Sequence, residues 1–104
     1  MIVTLFWSRL RPDMTEEEHQ AYQSDFSNML AQAEQMPGFL SFKAFTAEDG
    51  ERLSVIQFES EETQRAWRTH AEHRIIQQRG RDSYYDRYRI VVGQAEKDHS
   101  WQRG

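Results

Sequence analysis

No cysteine occurs in the 104 residues. Disulfides, thiolate nucleophiles, iron–sulfur clusters and cysteine-type zinc sites are therefore excluded. The absence fits a reducing compartment, and a cytoplasmic location is expected. Long apolar runs are missing as well. A membrane-spanning helix needs about 18 consecutive apolar residues; the chain has no such run, and no membrane partner is expected. The opening stretch MIVTLFWSRLRPD has no basic start and no small-residue cleavage site, so it reads as a strand and not as a signal peptide. Repeats, linkers and low-complexity segments are also lacking. The charge balance is -4, and although nine of the thirteen Lys and Arg follow Ser60, seven of the seventeen acids do too. That local excess falls short of the basic footprint nucleic acid requires, so no nucleic-acid partner is expected.

The residues that are present suit one domain. Hydrophobic residues make up 38%, charged residues 29% and aromatics 12%, enough to build a dense core from few side chains. MIVTLFWSRL is rich in β-branched and aromatic residues and reads as a first strand. Thr15 followed by Glu18 makes a capping box, and the acidic first turn suits the positive end of a helix. Tyr22, Phe26, Met29, Leu30, Ala33 and Met36 then recur at helical spacing until Pro37-Gly38 stops the helix. FLSFKAF and RLSVIQFE are strands joined by an Asp-Gly turn. Ser60 caps a second helix reaching Gly80, with a kink or break near Ala71 left open. YYDRYRIVVGQA is the fourth strand, and residues 96–104 form a polar tail beyond a domain of residues 1–95. The order β-α-β-β-α-β predicts an α+β, ferredoxin-like fold: a four-stranded antiparallel sheet with two helices on one face.

That architecture leaves one sheet face bare, yet apolar residues occupy both alternations of each strand. Ile2, Thr4, Phe6 and Leu10 oppose Val3, Leu5 and Trp7; Leu53 and Val55 oppose Ile56 and Phe58. A sheet with one wet face should be polar on it. Strands of about seven residues make a face of roughly 440 Å², an apolar area that monomers seldom leave uncovered. A second copy, sheet against sheet, is the expected cover.

Two stretches carry a family likeness: MPGFLSFKAFTAEDGERLSVIQFES, and AWRTHAEHRIIQQRGRDSYYDRYRI. With them the chain resembles the antibiotic biosynthesis monooxygenase domain, a branch of the dimeric α+β barrel superfamily, from about Met1 to Ala95. The second stretch is similar to that family's W-x-x-H-P-E-H form, with Ala71 where proline is common. The resemblance implies two ferredoxin-like subunits packed into a barrel, each with a pocket between helices and sheet. It also implies a range of activities, from cofactor-free oxygenation of quinol-like substrates to haem degradation.

Within that frame the candidates are these. Trp67 shares an inner helical stripe with Ala71 and Ile75, and is either a core aromatic or a pocket wall that stacks on a flat substrate. His70 and His73 are candidate general bases; in an unbroken helix His73 faces solvent, and a kink near Ala71 would return it. A His-x-x-His pair without a third ligand predicts no metal. Arg87 and Arg89 lie on a strand, where one is expected to point inward, pairing with Glu59 or Asp86 or holding a substrate anion. Trp7, Tyr22, Phe26, Phe42 and Tyr88 complete an aromatic lining. The haem-degrading relatives use an asparagine on the first strand where Trp7 stands here, and His73 falls too early for their ligand, so haem is disfavoured. The expectation is a cofactor-independent monooxygenase of a small aromatic or quinol; the alternative is a dimeric binding or stress-related domain without turnover.

Overall fold

The computed structural model describes all 104 backbone positions and every side chain but those of Ala71, Glu72 and Ile75. The expected continuation of the Trp67 stripe through Ala71 and Ile75 thus lies outside the described side chains. Four strands, β1 (Ile2–Leu10), β2 (Phe39–Thr46), β3 (Arg52–Phe58) and β4 (Tyr85–Gln94), form one antiparallel sheet in the order β2-β3-β1-β4. The long helix α1 (Glu16–Gln35) follows β1, and α2 (Glu61–Arg68) and α3 (Ala71–Arg79) follow β3. This is the expected ferredoxin-like arrangement, with the second helix divided in two.

Each boundary has a local cause. Thr15 Oγ1 accepts from the Glu18 backbone N–H, and the Glu18 carboxylate accepts from that of Thr15, closing the capping box. Arg11 adds an ion pair to Glu18. Between β2 and β3, Gly50 takes φ +92, the left-handed value that glycine adopts at no steric cost. Asp49 Oδ1 accepts from the Glu51 backbone N–H in the same turn. A bulge near Leu40 resets the pleat so that Phe39 and Phe42, three apart, both reach the core under α1.

The division of the second helix falls at Thr69 and His70. Thr69 Oγ1 donates to the Arg65 carbonyl at 2.9 Å, a backbone-competing bond that bends helices. His70 is extended at φ -60, ψ 136 and starts α3 afresh. After α3, a single π turn over Gly80–Tyr84 leads into β4. A Cβ at Gly80 would sit 2.6 Å from the Tyr85 ring, so only glycine lets the turn approach the strand this closely.

The core lies between sheet and helices, around Ala33, Ile56, Phe58 and Trp67. On the helix-covered face the strands present Ile2, Thr4, Phe6 and Ser8 against Ser54, Ile56 and Phe58. The opposite face carries Val3, Leu5 and Trp7 beside Leu53, Val55 and Val91, with Arg9, Lys43, Arg87 and Arg89 around them. Among the described residues no helix crosses that face. Residues 96–104 form neither helix nor strand, and Trp101, 73% exposed, meets only the Arg103 guanidinium among the described contacts. Among the described residues no helix is long and apolar enough to cross a membrane.

Candidate functional site

A cavity of about 270 Å³ opens between the sheet and the α2–α3 pair. Its floor is a square of four side chains from the two central strands. Thr4 stands opposite Ile56 and Phe6 opposite Ser54, so the two hydroxyls lie on one diagonal. Trp67, Gln64 and His73 close the helical side, and Tyr88, Ile90 and Val92 of the edge strand β4 form the mouth, each 41–45% exposed. An apolar cavity of about 150 Å³ holds benzene; this one admits a flat molecule of one or two rings.

Trp67 and His73 meet here because the helix breaks. Trp67 is 4% exposed and stacks on Phe58, with ring centroids 5.5 Å apart. The His73 ring lies 4.2 Å from the indole centroid and is likewise 4% exposed. Burial, and secondarily the charge of nearby His70, push the His73 imidazole down to about 4, so it is neutral at physiological pH. Trp67 Nε1 and His73 Nδ1 are buried without a hydrogen-bond partner among the described residues. Leaving such groups unpaired costs about 1–3 kcal/mol each. His70, half-buried at the seam between α2 and α3, has an unpartnered Nδ1 of the same kind.

The other expected site residues divide clearly. Tyr88 reaches the cavity. Tyr22, Phe26 and Phe42 do not line it; they pack beneath α1, where Phe26 and Phe42 meet edge to face at 5.5 Å. The Arg52 guanidinium lies over both Tyr22 and Phe26 and donates to the Tyr22 hydroxyl at 2.7 Å. Trp7, Arg87 and Arg89 stand on the opposite sheet face. The expectation that one arginine points inward is corrected: two residues apart on a strand, they share a face, and it is the outer one. Arg89 covers the Trp7 ring at 4.9 Å, and Arg87 lies 3.8 Å from Glu51, not beside Glu59 or Asp86. Arginines do reach the cavity, but they are Arg68 and Arg81.

Sequence reasoning passed over three further groups. Gln64, Thr4 and Ser54 are buried to 2%, 5% and 5% exposure and all line the cavity. The available signal was Gln64 one turn before Trp67 on the same helix face, with polar residues on an otherwise apolar strand alternation. Asp25, 7% exposed, was also missed. It accepts from Arg79 at 2.9 Å and from the Tyr84 hydroxyl at 2.8 Å, tying α1 to the π turn. Burial first, and then the Asp25 carboxylate, push the Tyr84 phenol up to about 12. Tyr85, which lines the cavity, is raised too, chiefly by burial. Both phenols stay neutral and cannot serve as bases. Among the described residues no three His, Asp or Glu side chains converge to hold a metal.

Residues 10–79 match the family model described as antibiotic biosynthesis monooxygenase. An uncharacterised Bacillus subtilis protein, YqjZ, is 27% identical over 86 residues, covering 83% of this chain and 75% of the relative. Among solved structures, Rv0793 from Mycobacterium tuberculosis superposes with a TM-score of 0.79 at 13% identity, covering 95% of this chain and 98% of its own. SnoaB, a cofactor-independent oxygenase from Streptomyces nogalater, superposes with a TM-score of 0.76 at 10% identity, covering 93% and 94%.

Proposed function

The chain belongs to the antibiotic biosynthesis monooxygenase family, and from that premise we propose that it is a cofactor-independent oxygenase that takes a small electron-rich phenol or quinol into the cavity beside Trp67. The observation that carries this reading is the contact of Trp67 and neutral His73, both buried, at the wall of an apolar cavity that opens past β4. The description of SnoaB as a cofactor-independent oxygenase supports the same chemistry.

With no external reductant, the substrate must supply all four electrons that oxygen takes up. Conversion of a quinol with a free ring C–H to a hydroxyquinone and one water does so, as does conversion of a phenol with a free para C–H to a quinone; for the phenol the atoms divide as follows. One oxygen atom ends on the ring carbon, and the other leaves as water with the phenolic hydrogen and the ring hydrogen. The protein then has to ionise the phenol, hold it flat and keep water out. Trp67 stacks on the ring and His73 receives the phenolic proton. A phenol near pKa 10 and an imidazole near 4 differ by about six units, roughly 8 kcal/mol. His73 alone does not bridge that gap. The phenolate formed beside it stabilises the imidazolium, and Arg68 and Arg81 at the cavity stabilise the phenolate. Of the arginines named from sequence, Arg87 and Arg89 serve the outer face instead.

Two copies pair through those outer faces. What supports the pairing is the apolar patch of Val3, Leu5, Trp7, Leu53, Val55 and Val91, which no helix covers among the described residues. Leu5→Glu should convert the dimer to a monomer in sedimentation velocity at micromolar concentration; a wild-type monomer there overturns the pairing.

The activity is tested with a panel of electron-rich phenols in an oxygen electrode, with ¹⁸O₂ labelling of the product. The expected result is oxygen uptake with one labelled atom in the quinone, reduced at least 100-fold in His73→Phe. Oxygen uptake that yields hydrogen peroxide and no label contradicts the monooxygenase reading. No uptake across the panel leaves a binding domain without turnover.

A further inference from the structure

Away from the cavity, the turn between β2 and β3 holds the chain's one Asp-Gly step, Asp49-Gly50. Such a step is chemically labile. The glycine nitrogen closes a five-membered ring on the aspartate Cγ, and no side chain on the glycine hinders it. The new N–Cγ bond forms as the carboxyl OH and the amide hydrogen leave as water. Water then reopens the imide. Cleavage of the N–Cγ bond restores aspartate; cleavage at the main-chain carbonyl gives isoaspartate, whose main chain runs through Cβ. Water is the only other reactant. Gly50 takes φ +92, so another residue there would strain the turn, and the labile step comes with the hairpin.

Ring closure needs a protonated carboxyl, a glycine nitrogen that gives up its proton, and a side chain free to swing Cγ over that nitrogen. Each need is opposed here by a contact. Arg9 holds Asp49 twice: Nη2 lies 3.1 Å from Oδ2, and Nη1 donates to the Asp49 carbonyl at 2.8 Å. Oδ1 accepts from the Glu51 backbone N–H at 3.0 Å. Both carboxylate oxygens are engaged as acceptors, which favours the ionised form. The Glu51 N–H, and with it the Arg9 charge, hold the carboxyl below its usual range. The Gly50 N–H is itself spent on the Ala47 carbonyl at 2.9 Å. The Asp49 side chain is two-thirds exposed, so these contacts and not burial restrain it. We propose that Asp49 is a latent self-modification site, converting to isoaspartate through a Gly50 imide, and that Arg9 restrains it by gripping its carboxylate and its carbonyl together. Arg9 stands forty residues before Asp49, on β1, so the restraint exists only in the folded chain. Isoaspartate lengthens the turn by one main-chain bond and moves the carboxylate, so the Arg9 and Glu51 contacts are lost with the conversion.

The test holds the full-length wild type, Arg9→Ala, Arg9→Lys and the free peptide TAEDGERL at pH 7 and 37 °C. Isoaspartate at residue 49 is counted over time by proteolytic digestion and electron-transfer mass spectrometry. The peptide should convert at least about tenfold faster than the wild-type chain. Arg9→Ala should raise the rate in the folded chain about fivefold, in keeping with the loss of an exposed ion pair and its hydrogen bond. Arg9→Lys keeps the charge without the two-pronged grip and should fall between. Asp82-Ser83 in the same digests should convert equally in all three proteins. Thermal melts confirm that each variant is folded; should Arg9→Ala not fold, Arg9→Lys and the ratio of wild type to peptide decide. A wild type that converts as fast as the peptide overturns the proposal. So does a folded Arg9→Ala within about twofold of the wild type, or a rise at Asp82-Ser83 that matches the rise at Asp49, which would assign the effect to general loosening.

Discussion

Beneath α1, Asp25 accepts hydrogen bonds from both Arg79 and Tyr84, and the Tyr22 hydroxyl accepts one from Arg52. Beneath α2 and α3, Trp67 Nε1 and the Nδ1 atoms of His70 and His73 have no partner among the described residues, and Gln64 reaches Thr4 only at 3.5 Å. The same sheet underlies both ends of the layer. At the first end Asp25 and Tyr22 hold the fold together, with Gln32 Oε1 of α1 left unpartnered among the described residues; at the other Trp67, His73 and Gln64 stand beside a cavity. The difference teaches where stability and function separate: substitutions at the first end should cost stability, and those at the second should cost activity with little loss of stability, or even a gain.

The largest expected effect comes from acid. The unfolded chain protonates His73 near pH 6.5, whereas the folded chain resists until about pH 4. Between those values the unfolded state binds the extra proton, so stability is complete above pH 6.5 and falls by about 3 kcal/mol as pH drops to 4. Urea unfolding at intervals from pH 7 to 4, in wild type and His73→Phe, isolates this contribution from that of the carboxylates. The variant should match the wild type at pH 7 within about 1 kcal/mol and exceed it by about 2 kcal/mol at pH 5. Equal acid sensitivity of the two proteins would mean that His73 is hydrated and the open end is not dry.

Next comes the closed end. Asp25→Ala removes the acceptor of the buried Tyr84 hydroxyl and should cost about 2 kcal/mol at pH 7. The Arg79 side chain is more than half exposed, so the ion pair adds little to that figure. The Tyr84 phenol, no longer facing a carboxylate, should titrate below 12 in an ultraviolet pH scan. Oxygen uptake should be retained. If instead it fell while stability held, the two ends would not be separate.

Most of the frame was legible from local chemistry. The Thr15–Glu18 box, the Pro37-Gly38 stop, the Asp49-Gly50 turn and the Ser60 cap act within a few residues of themselves, and all stand where the sequence places them. The contents of the site were less legible. His73 turns inward because α2 ends at Thr69, whose N–H and hydroxyl both go to the Arg65 carbonyl, and the extended His70 restarts the helix, a break that periodicity does not record. Asp25 sits on a helix face read as apolar, and its partners lie 54 and 59 residues away. The outward pair Arg87 and Arg89 is a different case: strand alternation alone puts them on one face, and the register with Arg9 and Trp7 shows which.

The smallest expected effect lies at the seam between α2 and α3. α1 and α2 each begin on a capping box, whereas α3 begins on His70, whose side chain makes no capping bond. His70→Ser supplies the missing acceptor and should raise stability by about 0.5–1 kcal/mol. It also removes the ring whose charge helps to depress His73. By NMR titration His73 should rise above 4 yet stay below 6.5, because burial, the larger cause, is untouched. A residue that only marks the seam can be replaced in this way without loss of oxygen uptake. If uptake falls while stability rises, His70 takes part in the reaction, and the uncapped start of α3 is kept because a serine there would stabilise the helix at the expense of the site.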